Sequence, residues 1–496
     1  MEETSTQPDT DARWHGSRKR VAPVAPVLGL VLLVNVSMSL YQLPLNRLIE
    51  RRLCVDYYRL NDPSQIQPDG SLDEQLCKVR EIGKGLGRIQ GVMETLWVAG
   101  DFVMTIPLSF LAEKWGRRVI LRLNLLSRAF MLLWAIIVGH FDNTLPTRAI
   151  IAGPALSVLG GDCVFNSLTY ALISSLTEDH VQRAIYFGYM SSVSYVVALL
   201  GPALASSTMS LSLWLPFWLG ILLLLLAVPT IHMLPSSKQL NGKDIVDEEQ
   251  REPLLSSPLL KAQDDQKSLF HSVAERLETI KTIVVSHPRN FTLLLFSFAL
   301  TSLASSDTKL LVQYISGRYH WAFASAGYLL SGKAIVNFTL LTVIIPKLLR
   351  SAQKLESDDE SGSVDKSNIR HATLCLIVSV IGALGIAVAS KIWMLVPSMF
   401  VYALGSALPI FTLSLLKSPA VSPRHADNPA ESSDTESHIF SIVMLVKTVG
   451  SLLGAPLMAA LWVHGIEIGG AAFGMPFFVS AACYVIAIWV FKMIKV

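Results

Sequence analysis

Three features of this sequence predict an all-α polytopic membrane protein with twelve transmembrane helices in two six-helix halves. Hydrophobic residues make up 51% of its 496 positions and charged residues only 16%, against about 25% charged in a soluble domain. The mean hydropathy is +0.47. The apolar residues fall into a dozen runs near the roughly 20 residues that a helix needs to cross a bilayer. A polar stretch over 235–290 divides those runs six and six. The lipid bilayer is therefore the first expected partner.

The elements follow in order. Residues 1–20 are polar and read as a disordered cytoplasmic N-terminus that ends in Arg18-Lys19-Arg20. The N-terminal half spans 21–234. Its first run, 21–45, is too long for a signal peptide and lacks a small-residue cleavage site. An outer loop over 45–84 follows, with several Arg and Lys that weaken the positive-inside signal there. Further spans fall at 86–111, 119–140 and 148–176, then a fifth ending in LLGPALASS, then 213–234. TEDHVQR between the fourth and fifth returns the chain to the inside.

The linker 235–290 carries the acidic run DIVDEEQRE. Leu269, Phe270, Val273, Leu277, Ile280 and Val284 then recur at helical spacing, as in an amphipathic helix on the membrane surface. The C-terminal half, 291–496, repeats the scheme with spans at 291–315, 322–348, 372–390, 393–416, 439–463 and 475–496. The Ser- and Asp-rich loops 350–370 and 417–437 read as cytoplasmic and mobile. Both termini fall in the cytoplasm, and the plasma membrane is the expected location. Leu199-Leu200-Gly201-Pro202 in span five echoes Leu452-Leu453-Gly454-Ala455-Pro456 in span eleven, equivalent places if the halves are repeats.

Between spans two and three stands SFLAEKWGRR, residues 109–118. A Gly-Arg-Arg knot cannot sit in hydrocarbon, so this is a tight turn, and its charge places it in the cytoplasm. It resembles the loop between helices 2 and 3 of the major facilitator superfamily, Gly-x-x-x-Asp-x-x-Gly-Arg-Lys/Arg. Gly116, Arg117 and Arg118 match; Glu113 replaces the Asp and Ser109 the first Gly. The resemblance implies two six-helix halves that rock about a central site, with Glu113, Arg117 and Arg118 as a latch on one side. A second likeness lies in LPLNRLIERRLCVDYY, 43–58. It is similar to fungal facilitator proteins near the proton-coupled folate transporter branch, many of which accompany natural-product biosynthesis and are taken to be exporters.

Ionisable residues inside spans cost roughly 2.5 to 3.5 kcal/mol on insertion scales and need a partner or a purpose. Here they are Glu94, Asp101, Arg128 and Asp162 in the first half, and Asp307, Lys309, Lys333 and Lys447 in the second. Glu94 and Asp101 lie seven apart on one helix face. One reading is internal pairing: Arg128 neutralises Asp101 or Asp162, and Asp101 bridges to Lys447. In the fold this chain resembles, spans one, four, seven and ten line the cavity. On the functional reading Asp162 and Asp307 face that cavity and load and release protons, with Asp101 next, because burial raises a carboxyl pKa. Lys333 and Lys447 would then draw a substrate anion. Tyr41, Gln42, Asn46, Asn166, Tyr170, Gln313 and Tyr314 are polar or aromatic candidates on the cavity helices, for substrate contact or for ordinary interhelical hydrogen bonds.

Cys54 and Cys77 share the outer loop, where a disulfide is chemically permitted. Cys163, Cys375 and Cys483 lie in spans and read as small packing residues. No cysteine or histidine cluster suggests a metal, and no cofactor is called for. Gly327 to Lys333 matches a P-loop until Ala334 stands where Ser or Thr must hold magnesium, so nucleotide is excluded. No basic run with interleaved aromatics suggests nucleic acid. Gly201-Pro202 partly matches the antiporter motif of the fifth helix, Gly-x-x-x-Gly-Pro, but Val197 fills the first Gly position.

No nucleophile, metal or phosphate motif marks an enzyme. The expected function is secondary active transport of a small organic molecule by alternating access, as proton-coupled efflux of a secondary metabolite. The alternatives are proton-coupled uptake of an anionic nutrient, such as a folate-like or organic acid, and a non-transporting membrane sensor.

Overall fold

The computed structural model describes residues 24–67, 72–142, 144–174, 176, 180–234, 289–344, 362–415 and 429–494. Among them the chain is helical throughout, without strands. The first half holds spans one (Ala25–Asn61), two (Arg80–Trp115), three (Arg117–His140), four (3₁₀ turns Thr147–Ala152 and Pro154–Leu159, then α-helix Asp162–Ser174), five (His180–Leu211) and six (Leu215–His232). The second holds seven (Arg289–Ser305, Ser306–Leu310, Leu311–Tyr319), eight (Phe323–Thr339, then a π turn Leu340–Ile344), nine (Gly362–Val388), ten (Ile392–Leu404, Gly405–Ala407, Leu408–Leu415), eleven (Pro429–Ile468) and twelve (Gly470–Gly474, Met475–Lys492).

Eight of these segments contain helices long and apolar enough to cross a membrane. Spans two, four, eight and ten fall short of that measure. The second carries charges, and the other three are interrupted by 3₁₀ or π turns. Such breaks are tolerated at membrane depth where protein or a cavity covers them.

Several segments are longer than the hydropathy predicts. Span one runs to Asn61, about 55 Å of helix against a hydrocarbon core of about 30 Å. Most of the predicted loop 45–84 is thus helix. Leu45, Leu48, Ile49, Arg52 and Val55 repeat every three or four residues and are buried. Arg52 donates to the carbonyls of Val138, at 2.6 Å near the end of span three, and of Leu145 in the turn after it. Spans nine and eleven begin at Gly362 and Pro429, inside segments expected to be loop. The predicted disordered N-terminus and the amphipathic helix of the linker lie outside the described residues.

One apolar cluster is built on spans one to six and another on spans seven to twelve; Phe323 of span eight joins the first. The halves meet along two seams, span five on eight and span two on eleven. Small residues allow the approach: Gly327 touches Ser206 and the Pro202 carbonyl, while Gly87 and Gly91 touch Trp462 and Ala459. The echo between spans five and eleven is also an echo of packing. Gly201 lies on Ser39 of span one, and Gly454 lies on Ser306 of span seven.

Candidate functional site

The site is best built from the break in span four. Gly160 has φ +132°, which an L side chain rarely adopts, and its Cα faces Asn124. Gly161 next to it abuts the Asp101 carboxylate so closely that a Cβ has no room. The two glycines end the 3₁₀ stretch and let an α-helix start at Asp162 with its first N–H groups bare. Asp101 reaches across from span two and accepts from the Cys163 N–H at 2.9 and 3.2 Å. Asp101 therefore caps a neighbouring helix, where the positive N-terminus favours its charge.

Arg128 of span three closes the cluster. Its Nε donates to Asn124 Oδ1 at 2.8 Å and its Nη2 to Asp162 Oδ1 at 2.7 Å. Its guanidinium also lies over the rings of Trp97 and Phe165, at 5.8 and 5.3 Å. The Asn124 amide donates to the Gly161 carbonyl at 2.8 Å and Trp97 Nε1 to Asp162 Oδ2 at 3.3 Å. Arg128 is 1% exposed, whereas the Asp162 side chain is 58% exposed. Asp162 is thus held from behind by a buried cation and faces open space. Of the two sequence readings for Arg128, the structure pairs it with Asp162.

A charge pair joins the halves here. Lys309 Nζ of span seven lies 2.5 Å from Glu94 Oε2 of span two, and Gln42 Nε2 of span one donates to Glu94 Oε1 at 3.5 Å. Lys309 also acts electrostatically on Asp162. The bridge anticipated between Asp101 and Lys447 is not formed. Asp101 is spent on the span-four N-terminus, and Lys447 has no carboxylate within 4.0 Å among the described residues. The Glu94–Lys309 pair was visible in the sequence as two charges in spans, but nothing there marked them as partners.

In the second half Asp307 is fully buried, so it does not face an open cavity in this conformation. It sits where span seven loosens into the 3₁₀ turn Ser306–Leu310. Tyr402 of span ten donates to its two oxygens, at 2.9 and 3.2 Å, and the Tyr402 and Tyr484 hydroxyls are 3.0 Å apart. Lys333 Nζ lies 5.3 Å from the centroid of the Tyr402 ring. Gln313 Nε2 donates to Asn46 Oδ1 across the halves at 2.9 Å, and Tyr314 OH to the Ile386 carbonyl at 2.7 Å.

The family model for the Major Facilitator Superfamily matches residues 82–428. This chain belongs to that superfamily. Among curated relatives it is 26% identical over 451 residues to the MFS efflux pump atnC of Emericella nidulans, covering 91% of this chain and 83% of that one. It is 24% identical over 465 residues to the efflux pump ustT of Aspergillus flavus, covering 90% and 83%. Among solved structures it superposes on the human organic anion transporter MFSD10 with TM-score 0.55, at 15% identity, over 95% of this chain and 99% of that one. The nucleoside transporter NupG gives TM-score 0.54 at 14% identity, over 91% and 98%. These superpositions carry the fold. The chain is a multi-pass membrane transporter of the superfamily and not an enzyme.

The superfamily's turn between spans two and three is present as Trp115-Gly116-Arg117. Gly116, with φ +94°, breaks the helix there. Arg118 donates to the Leu234 carbonyl at the end of span six, and Arg117 begins span three. The side chains of Ser109 and Glu113 lie outside the described residues. The opposite end of the bundle carries Cys54 and Cys77, joined with S–S 2.12 Å and Cα–Cα 5.3 Å. Next to Cys77, Lys78 is almost wholly enclosed. Its Nζ lies 2.8 and 3.0 Å from the Glu50 oxygens, 3.2 Å from Glu74 Oε1 and 2.6 Å from Ser316 Oγ. Glu74 accepts from the Phe323 N–H at 3.0 Å. Two charged residues of the first half's loop thus grip spans seven and eight. Sequence reading passed over Glu50, Glu74 and Lys78, because a charged loop usually reads as a solvated one.

Proposed function

We propose that this transporter exports a small organic molecule, a secondary metabolite, by proton-coupled alternating access in the plasma membrane. The N-terminal half is taken as 21–234 and the C-terminal half as 291–496, with linker and termini in the cytoplasm. The observation that carries the reading is the Lys309–Glu94 pair. It joins the halves beside the exposed Asp162 carboxylate, while the seams and the Lys78 contacts bind the halves together at the disulfide end. With that end outside, this arrangement suits a cavity loaded from the cytoplasm. The printed names of the fungal relatives, efflux pumps among them, support the outward direction.

In this reading Asp162 carries the exchangeable proton near the substrate, and Asp307, fully buried against two tyrosines, carries a second in the moving half. Asp101 holds span four in place. Arg117 and Arg118, with Ser109, Glu113 and Gly116, latch the cytoplasmic side when it closes. A second reading, uptake of an organic anion, is favoured by Lys447, which lacks an acidic partner within 4.0 Å among the described residues, and by Lys333 beside Tyr402.

The test is a paired metabolite profile of cells and medium with and without the protein. A compound that builds up in cells and fades from the medium on deletion establishes export and names its class. A compound left behind in the medium reverses the direction. No change in either pool turns attention to a sensor. Once the compound is known, proteoliposomes with an internal pH dye test the coupling: protons move with the substrate in the wild type, and Asp162→Asn uncouples the two. Transport without proton movement refutes the coupling.

A further inference from the structure

Near the disulfide end the halves leave a cavity of about 210 Å³ between spans two, seven and eleven. Its deep lining is buried: Gln313 and Trp462 are each 2% exposed and Phe323 1%. Two of these residues carry a buried polar atom with no hydrogen-bond partner among the described residues: Gln313 Oε1, an acceptor, and Trp462 Nε1, a donor that lies against Gly87 in the seam. The other end of the Gln313 amide is committed to Asn46. A buried polar atom left unpaired costs about 1–3 kcal/mol, so Gln313 Oε1 in the cavity lining calls for an explanation.

The cavity also lies beside Arg80 and Arg318. Arg318 donates to the Gly470 carbonyl at 2.9 Å, and Arg80 lies against Gly469. Neither has a carboxylate within 4.0 Å among the described residues. Glu50, the acid in the lining, is already held by Lys78 and Arg47. The lining therefore presents two guanidinium groups without a carboxylate in reach among the described residues, the Gln313 carbonyl oxygen, and the rings of Phe323 and Trp462.

We propose that this cavity is a binding site for a small carboxylic acid with a ring or short apolar body. The carboxylate meets Arg80 and Arg318, whose forks suit it. The body rests on Phe323 and Trp462. A hydroxyl or amine on the ligand can serve Gln313 Oε1. The volume is right, since an engineered apolar cavity of about 150 Å³ accepts benzene. Water would also fill the cavity and serve Gln313 Oε1; the acid is favoured by the two guanidinium groups that meet at Gly469 and Gly470, whose forks match a carboxylate bidentately as water does not. Placing this site on the exit path rests on the export reading above; binding itself does not.

The test uses the purified full-length protein in nanodiscs, with sodium benzoate as the probe and thermal shift and calorimetry as readouts. Benzoate is expected to raise the unfolding midpoint and to bind saturably. Replacing both Arg80→Gln and Arg318→Gln weakens binding roughly tenfold or more, and Trp462→Phe weakens it less. No saturable binding overturns the proposal. Binding that survives the double variant but is lost in Lys309→Gln places the anion between the halves at Glu94 and also overturns it. Inorganic phosphate binding as tightly as benzoate, and lost in the same double variant, refutes the organic-acid assignment. Export can fail in cells without touching any of these outcomes, so the two readings stand or fall separately.

Discussion

Lys309 of span seven and Glu94 of span two form a salt bridge of 2.5 Å between the two halves. Lys309 is 43% exposed and Glu94 18%, so the pair contributes about 1 kcal/mol or less to stability. A weak bridge across a moving seam is easily broken and remade. Lys309→Glu places two carboxylates face to face, and transport is expected to fall at least about tenfold with little loss of folded protein. The swap Glu94→Lys with Lys309→Glu restores part of it. Transport at equal surface abundance checks this; a fully active single variant shows the bridge to be idle.

The Arg128–Asp162 pair is unequal, and its variants should be too. Asp162→Asn leaves the buried Arg128 without its paired charge, although Asn124 still accepts from it, and is expected to destabilise by about 1–3 kcal/mol. Arg128→Met leaves a carboxylate that is already 58% exposed, and the loss is smaller. Thermal unfolding in one detergent ranks the two, and the reverse order contradicts this account of the cluster.

At the disulfide end, Lys78→Met leaves Glu50 buried with Arg47 as its remaining cation, and unties Ser316 from the first half. The closed seam weakens there. A reporter Gly317→Cys is expected to react faster with a membrane-impermeant maleimide when Lys78 is replaced. Equal rates in both backgrounds count against the grip of Lys78 on span seven.

The Cys54–Cys77 link closes a loop of sequence separation 23 that carries Glu74 next to the gripping Lys78. Chain-entropy arithmetic gives about 3 kcal/mol for a loop of this size. Cys54→Ser with Cys77→Ser is expected to lower the unfolding midpoint and raise the Gly317→Cys labelling rate. Non-reducing peptide mapping checks the link directly; free thiols at both positions in untreated protein refute it.

Gly91 sits against Ala459 with no room for a Cβ. Gly91→Val wedges the seam between spans two and eleven. The disulfide end is then held open, and transport stops while the protein remains in the membrane. Normal transport in this variant shows that the seam does not close in the working cycle.

Much of this protein was legible in its sequence because the bilayer asks a simple question of each segment. Twenty apolar residues in a row have few alternatives to a spanning helix, and the Gly116-Arg117-Arg118 turn marks the superfamily. Charges within spans such as Asp162, Arg128 and Asp307 are costly enough to stand out one by one. Partnership is a different matter, since it depends on helix rotation and on which helices touch. The sequence offered Asp101 and Lys447 as partners and gave no sign that Glu94 and Lys309 would be. The two glycines at 160 and 161 settled the choice by starting a helix beside Asp101 and giving its carboxylate the bare Cys163 N–H. The grip of Lys78 on Ser316 joins positions 238 residues apart, and the cavity beside Trp462 is formed where two halves close. Hydropathy is a local property and located the spans but not their ends; pairing, seams and cavities are made by long-range contact, and only the tertiary structure decided them.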